Sequence, residues 1–413
     1  MSAANPSQTG HDEQEKACRS WRLTSGRIAL GPNESVRADI EIHEGRIARI
    51  GAVGESSTQD VTAKIDASGL LILPGLINAH DHLEFALFPR LGNGSYPNAR
   101  AWAEDIYRPE ESPIRDHLAV PKDERLAWGG IRNLLSGVTT VAHHNPYEAA
   151  FEEDFPVRVV RRYGWAHSPA LTPDLEKRFR ATADDEPFLI HLGEGTDEAS
   201  REEVNRLDEI GALGPRTVLV HAVALGPDEL KLVASRGASI VCCPSSNLFL
   251  LGQTVARDVW DSTVPVALGT DSSLTNDHCL LDELRVAQHE TGLPAEKLYE
   301  MVTSTAASIL RLSKAEGSLS VGGVGDAVLI RDDGGSPCEC LFRARAADVE
   351  VVLSGGVVKL LGGGAADRLA GLPPELAPFE VAGRRLYLSG IGPELEQASL
   401  PGYGETRRLP KAS

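Results

Sequence analysis

"LLILPGLINAHDHLEF", residues 70–85, ends an apolar run on two histidines one residue apart, His80 and His82. Side chains alternate faces along a strand, so residues i and i+2 point the same way. His80 and His82 can therefore reach one metal ion, with Asp81 turned away. The same arrangement recurs downstream. "GVTTVAHHN" carries His143 and His144, and "EPFLIHLGE" carries His191 and Glu194. "RTVLVHAVAL" carries His221, and "VPVALGTDSS" carries Asp271. Each polar group follows a short apolar stretch that reads as a buried strand.

Between these stretches lie polar helical ones, such as "DEASREEVNRLDEIGAL", "GPDELKLVASRG" and "DELRVAQHE". Alternating strand and helix signals imply a parallel sheet. The number of units in one run, roughly residues 73–317, favours a closed (β/α) barrel, whose C-terminal strand ends form the active face. One stretch is short for that count. Only 47 residues lie between His143 and His191, while two strand–helix units need more than about 50. The sequence therefore predicts an abbreviated third-to-fourth unit. "FPVRVVRRYGWAHSPAL" is the one clear strand region there.

The flanks have another texture. "ADIEIHEGRIARIGAV" reads as a hairpin, and "GDAVLIRDD" and "DVEVVLSGGVVKLL" repeat that style late in the chain. The expected organisation is a leader (1–19), a β-sandwich built from 20–72 and 318–365, the barrel between them, and an extension (366–413). The extension is Pro/Gly-rich and shows one strand, "RRLYLSG".

The chain has 413 residues, 42% hydrophobic and 24% charged, the balance of a globular protein with a sizeable core. Its formal net charge of -18 repels nucleic acid and anionic membranes, which excludes both as expected partners. No stretch approaches the ~20 apolar residues of a membrane span. The polar opening "MSAANPSQTGHDEQEKACRS" has no apolar signal core, and a cytoplasmic location is expected. None of the six cysteines forms a C-x-x-C pair, so a thiolate zinc site is not expected.

The His-Asp-His at 80–82, "HLGE" at 191–194, His221 in "VHAVAL", "CPSSNLFL" at 243–250 and "GTDSS" at 269–273 together resemble the amidohydrolase superfamily. Its members are metal-dependent hydrolases on a TIM-type barrel. The resemblance implies His80, His82, His191 and Asp271 as ligands of one divalent ion, Zn or Fe. It implies Glu194, His221 and Asp271 as catalytic residues, with Glu194 shuttling protons and His221 orienting a metal-activated hydroxide. Relatives with two metals bridge them through a modified lysine on the fourth strand. Here the only lysine between His143 and His191 is Lys177, in the helical "TPDLEKRFRA". One metal is expected, as in the cytosine, guanine and chlorotriazine-type branch.

The long stretch "LEFALFPRLGNGSYPNARAWAEDIYRP" (83–109) offers aromatic residues for a flat pocket. Arg90, Phe85, His144 and Asn247 are the expected substrate contacts. Two plainer readings compete: "TDSS" is also a helix-cap signature, and Glu194 opens an acidic stretch that reads as a solvated helix start. The expected reaction is hydrolytic deamination of a small nitrogen heterocycle. The alternatives are opening of a cyclic amide, a dechlorinating hydrolysis, or a non-catalytic scaffold. The expected partner is a small molecule, and a homodimer is left open.

Overall fold

The computed structural model describes residues 20–55, 63–152, 154–312, 315–369, 372–373, 375–390 and 396–410. The expected leader, 1–19, lies outside the described residues. The apolar run at 70–81 is two strands. It divides at Pro74–Gly75, and its halves enter different sheets.

The chain opens with β1 (Trp21–Ala29), β2 (Ser35–His43), β3 (Arg46–Gly51), β4 (Ala63–Asp66) and β5 (Leu70–Pro74). Next come β6 (Leu76–Asp81), β7 (Val138–His143), β8 (Arg158–Val159), β9 (Gly164–Ala166) and β10 (Phe188–Leu192). β11 (Thr217–His221), β12 (Ser239–Cys242) and β13 (Val266–Leu268) complete the middle. The last group is β14 (Ala327–Arg331), β15 (Val349–Ser354), β16 (Val357–Gly362), β17 (Ala377–Val381), β18 (Arg384–Leu388), β19 (Gln397–Leu400) and β20 (Gly404–Arg408).

Both chain ends enter one 12-stranded sheet, in which β5 pairs antiparallel with β14 and Ile72 faces Leu329. The two β-rich flanks thus meet, as their shared texture implied. The tail adds β17 to β20 to the same sheet, and "RRLYLSG" is β18. Alternation along these strands feeds two separate clusters. Trp21, Leu23, Ile40 and Leu361 fill one, while Leu71, Val328 and Leu360 join Leu126, Trp128 and Leu134 in the other.

β6 to β13 pair in parallel and in sequence order, as sheets of three and five. Helices such as Lys122–Leu134, Glu203–Glu209 and Pro227–Arg236 fall between them, giving an α/β chain. The ladder is not continuous: among the described residues no pairing joins β8 to β9, so the expected closed barrel is seen as two arcs. The break falls where the short spacing placed it. β8 has two residues and β9 three, and the four residues between them contain no helix. The outer ends of the arcs approach each other. Thr270 and Asp271 donate backbone N–H groups to His80 O at 3.0 and 3.1 Å. Gly269 permits this contact, since a Cβ there would lie 2.7 Å from His80 Cβ. Ile77, Ala79, Ala142, Leu189, Val218, Val220, Val241 and Ala267, from six of these strands, pack in one buried cluster.

Candidate active site

Plain alternation does not by itself aim the two histidines. Ile77 and Ala79 belong to the shared cluster, which by parity turns His80 away from it. A β-bulge corrects this: Asn78 faces Val141 but Asp81 faces His143, two residues against one. Asn78 and Asp81 then share the outer side, where both contact Asn133. His80 and His82 turn the other way together. His191 needs no such device, because it keeps the parity of Leu189 along β10. His221 and Asp271 are turned by their own backbones, with φ of +75° and +55°. A non-glycine residue in that region is held there by its surroundings, and such positions cluster at functional sites.

These side chains converge. His80 Nε2 lies 3.3 Å from His191 Nε2, and His82 Nε2 lies 3.4 Å from it. Asp271 Oδ1 lies 3.4 Å from His80 Nε2 and 3.6 Å from His82 Nε2. Four of the six separations are therefore near-equal. The ligand atoms of His80, His82 and His191 lie within 4.8 Å of one another, as do those of His80, His221 and Asp271, the spacing of groups that could share one ion. Burial holds His80, His82 and His191 below the usual imidazole range, which favours the neutral form that can ligate a cation. Burial opposes ionisation of Asp271, but the hydrogen bond to His80 and the nearby imidazoles outweigh it and hold the carboxyl well below its usual range. Its Oδ2 accepts from Ser246 Oγ (2.6 Å) and Thr275 Oγ1 (3.1 Å), leaving Oδ1 for the cluster. Three neutral imidazoles and one fastened carboxylate suit a divalent cation.

Glu194 stands beside this cluster, with Oε1 3.6 Å from His221 Nε2. Burial pushes its carboxyl up to about 7, against the pull of His221. The adjoining helix starts later, at Glu198, with Asp197 as its cap, so Glu194 is not part of a solvated helix start. Asp271 caps no helix either. Asn247 was expected to touch substrate. Instead it is 1% exposed, and its Oδ1 accepts from His221 Nδ1 at 2.8 Å, which fixes the ring's tautomer. The helix Pro244–Leu251 starts directly after β12 and carries Asn247 in behind His221.

The other expected contacts divide. Phe85 sits at the cluster, its ring 6.0 Å from that of His82. His144 is fully buried, stacks on His191 at 4.0 Å and donates to Ala166 O, so it backs the cluster instead of facing a ligand. Arg90 pairs with Asp277 at 2.7 Å and lies over Phe249, on the exposed side of the loop. One feature escaped the sequence reading. His167 follows β9, exposed, with its ring 5.0 Å from that of His191. The signal available was a histidine after a short apolar pair, "GWAH". Lys177 lies in the helix Leu175–Ala181.

Comparison with known proteins adds a lineage. Residues 158–361 match the model of the amidohydrolase family. The 5'-deoxyadenosine deaminase of Methanothermobacter thermautotrophicus is 26% identical over 83% of this chain and 93% of its own length. The 5-methylthioadenosine/S-adenosylhomocysteine deaminase of Saccharophagus degradans is 29% identical over 70% of this chain and 77% of its own. Among solved structures, an adenosine deaminase from Xanthomonas campestris with bound Zn superposes with a TM-score of 0.69 at 20% identity, covering 83% of this chain and 93% of that one. The zinc complex of atrazine chlorohydrolase from Arthrobacter aurescens gives 0.66 at 21% identity, covering 82% and 94%. The ordered strand-end residues, the matched segment and the relatives aligned along most of the chain point the same way: residues 158–361 are similar to the amidohydrolase family, the chain is similar to deaminases along most of its length, and it shares the fold of the two solved structures.

Proposed function

We propose that this protein hydrolyses a C–N bond at an sp² carbon of a small nitrogen heterocycle, releasing ammonia. The observation that carries this reading is Glu194 Oε1, 3.6 Å from His221 Nε2 and beside the His80, His82, His191 and Asp271 cluster. That cluster would hold one divalent ion, Zn or Fe. A single ion is supported by Lys177 lying in a helix and not at a parallel strand end. Such an ion supplies a nucleophile at neutral pH by lowering the pKa of water beside it to ~7. Glu194 would accept one proton from the attacking water and deliver it to a ring nitrogen, and would then pass the second proton of that water to the amine, which leaves as ammonia. His221, its Nδ1–H fixed on Asn247, presents Nε2 to the reacting atoms. Phe85 offers an apolar face to a flat ring beside His82.

The same reading closes the eight parallel strands into a (β/α) barrel over about 73–317. The bonds from Thr270 and Asp271 to His80 O and the cluster shared by six strands support it. It also treats the chain-end sheet as curled into a small sandwich. Support comes from Trp21 and Tyr387, on distant strands of that sheet, sharing one cluster. A cytoplasmic location agrees with the five unpaired cysteines among the described residues. No described helix is long and apolar enough to cross a membrane.

The relatives named as deaminases support deamination over ring opening or dechlorination. Metal-loaded protein should be screened against aminated purines and their nucleosides, pyrimidines, pterins, triazines and cyclic amides. Ammonia release from an amino-heterocycle is expected. Ring opening of a cyclic amide or chloride release, with no ammonia from any amine, would overturn the deaminase reading.

A further inference from the structure

Beyond Phe85, the connection from His82 towards the helix Lys122–Leu134 has no part in the chemistry above. It crosses the site as a strap, touching the segments that follow four parallel strands. Leu91 N–H donates to Leu274 O at 2.9 Å, beyond β13. Tyr96 N–H donates to Leu250 O at 2.8 Å, beyond β12. Trp102 packs on Val223, beyond β11, and on Leu250 and Leu251. Beyond β10 the contact is tighter. Ala99 N–H donates to Glu194 O at 3.0 Å, and Thr196 N–H donates to Pro97 O at 2.8 Å.

Asn98 is the centre of that last contact. Its backbone bridges to Gly195, where any Cβ would lie 2.9 Å from Asn98 Cβ. Its Oδ1 accepts from Ala101 N–H at 2.9 Å, capping the helix Ala99–Ile106. Its Nδ2 donates to Asp197 Oδ2 at 2.6 Å. Asp197 in turn caps its own helix, with Oδ1 accepting from Ser200 N–H at 2.9 Å. One charge-assisted hydrogen bond therefore joins two helix caps across the site. The residue enclosed by these bonds is Glu194. On its other side Gly193 N–H donates to Glu203 Oε2 at 2.8 Å. A carboxylate that moves protons must be placed to within about 0.5 Å, and here the backbone sets that place.

We infer that Asn98 is a positioning residue for Glu194, and that the strap it anchors holds the segment Gly193–Asp197 in working register. The inference rests on Glu194 being the proton carrier proposed above. An isosteric exchange tests it. Asn98→Asp keeps the cap on Ala101 but sets a carboxylate against Asp197. The double variant Asn98→Asp/Asp197→Asn restores the bond with donor and acceptor reversed, and both caps survive. Asn98→Ser, which can cap but cannot reach Asp197, is the second single variant.

Amide exchange across 95–104 and 193–201, metal content, kcat and KM are measured for each protein. Both single variants should exchange faster in both segments, by about tenfold or more, the scale of losing a charge-assisted hydrogen bond. They should keep their metal, and lose about tenfold or more in kcat with a smaller change in KM. The double variant should recover both exchange and kcat. Unchanged exchange at 193–201 in the single variants would overturn the inference. So would an unmoved kcat despite faster exchange, or a double variant no better than Asn98→Asp. Wild-type protein inactive on every compound would refute the proposed reaction instead, and the exchange measurements would still judge the strap.

Discussion

In the proposed reaction Glu194 and the cluster have separate jobs, and single substitutions can separate them. Glu194→Gln keeps the shape and removes the proton acceptor. Metal content should stay at wild-type level while turnover falls by ~10²-fold or more. Wild-type turnover in that variant would end the proton-carrier role. The sign of the pH dependence follows. The carboxylate must be ionised to accept a proton, so kcat/KM falls as pH drops through its pKa. Burial places that pKa at about 7, and a bound cation lowers it, so the acid limb should have its midpoint at or below about 7. Glu194→Gln should abolish this limb, and a limb that survives unchanged belongs to another group. Asn247 carries a second prediction. Asn247→Ala frees His221 Nδ1, so kcat should fall by roughly 10–100-fold with metal retained, the usual cost of losing a ligand-orienting partner. Loss of metal would show that His221 belongs to the ion's holders. His80, His82, His191, Glu194, His221 and Asp271 could all be read from the sequence because each follows an apolar run. Asn247 and His144 were misplaced for one reason. Their side chains point to partners far along the chain, His221 and Ala166, and no local pattern encodes that.

At the scale of the element, the junction of β6 and β13 decides whether the cluster assembles. Asp81 Oδ2 accepts from Asn133 Nδ2 at 2.7 Å, Thr270 Oγ1 at 3.1 Å and Asn78 Nδ2 at 3.2 Å. Asn78 Oδ1 accepts from Thr270 N–H at 3.1 Å. This buried network fastens the end of β6 to the start of the Asp271 loop and to the helix Lys122–Leu134. Burial pushes the Asp81 carboxyl up to about 6, against Arg132, Asn133 and Thr270. Asp81→Leu would remove the acceptor that these three buried donors share; Asn133 keeps Gly129 O and Asn78 keeps Asn133 Oδ1, while Thr270 Oγ1 loses its acceptor. The expected loss is about 2–4 kcal/mol by chemical denaturation, with metal affinity lower by roughly 10–100-fold because His80 and His82 are no longer fixed. Wild-type metal affinity in a destabilised variant would confine the network to stability. The sequence showed that Asp81 turns away from the cluster, but not the bulge that makes this so. Alternation reads straight through 70–81, and the division at Pro74–Gly75 depends on which sheet each half meets. The abbreviated unit, by contrast, was legible because spacing alone limits how many residues a helix can use.

Across the whole molecule, the chain-end sheet meets the parallel strands at the end remote from the cluster. Asp326, one residue before β14, is 4% exposed and accepts from Arg158 Nη1 at 2.9 Å and Gly355 N–H at 2.7 Å. Arg158, on β8, also donates to Thr140 Oγ1 at 2.8 Å and pairs with Glu316. Gly75 N–H donates to Asp326 O at 3.3 Å, so the joint lies where β6 and β7 begin, whereas His80 and His143 mark where they end. That the chain ends would meet was readable from their repeated β texture. The fastening was not, because Arg158 and Asp326 are single residues of common types far apart in sequence. Strand beginnings in such folds serve stability and strand ends serve chemistry. Arg158→Met keeps the aliphatic stem but strands the Asp326 carboxylate, which burial already pushes up. Unfolding should cost about 3 kcal/mol less, and Arg158→Met/Asp326→Asn should recover much of that loss, since the amide needs no counter-charge. Metal content and kcat of the folded protein should be unchanged in both variants. A fall in kcat at full metal occupancy would mean that strain at the strand beginnings reaches Glu194, and the separation of the two ends would have to be abandoned.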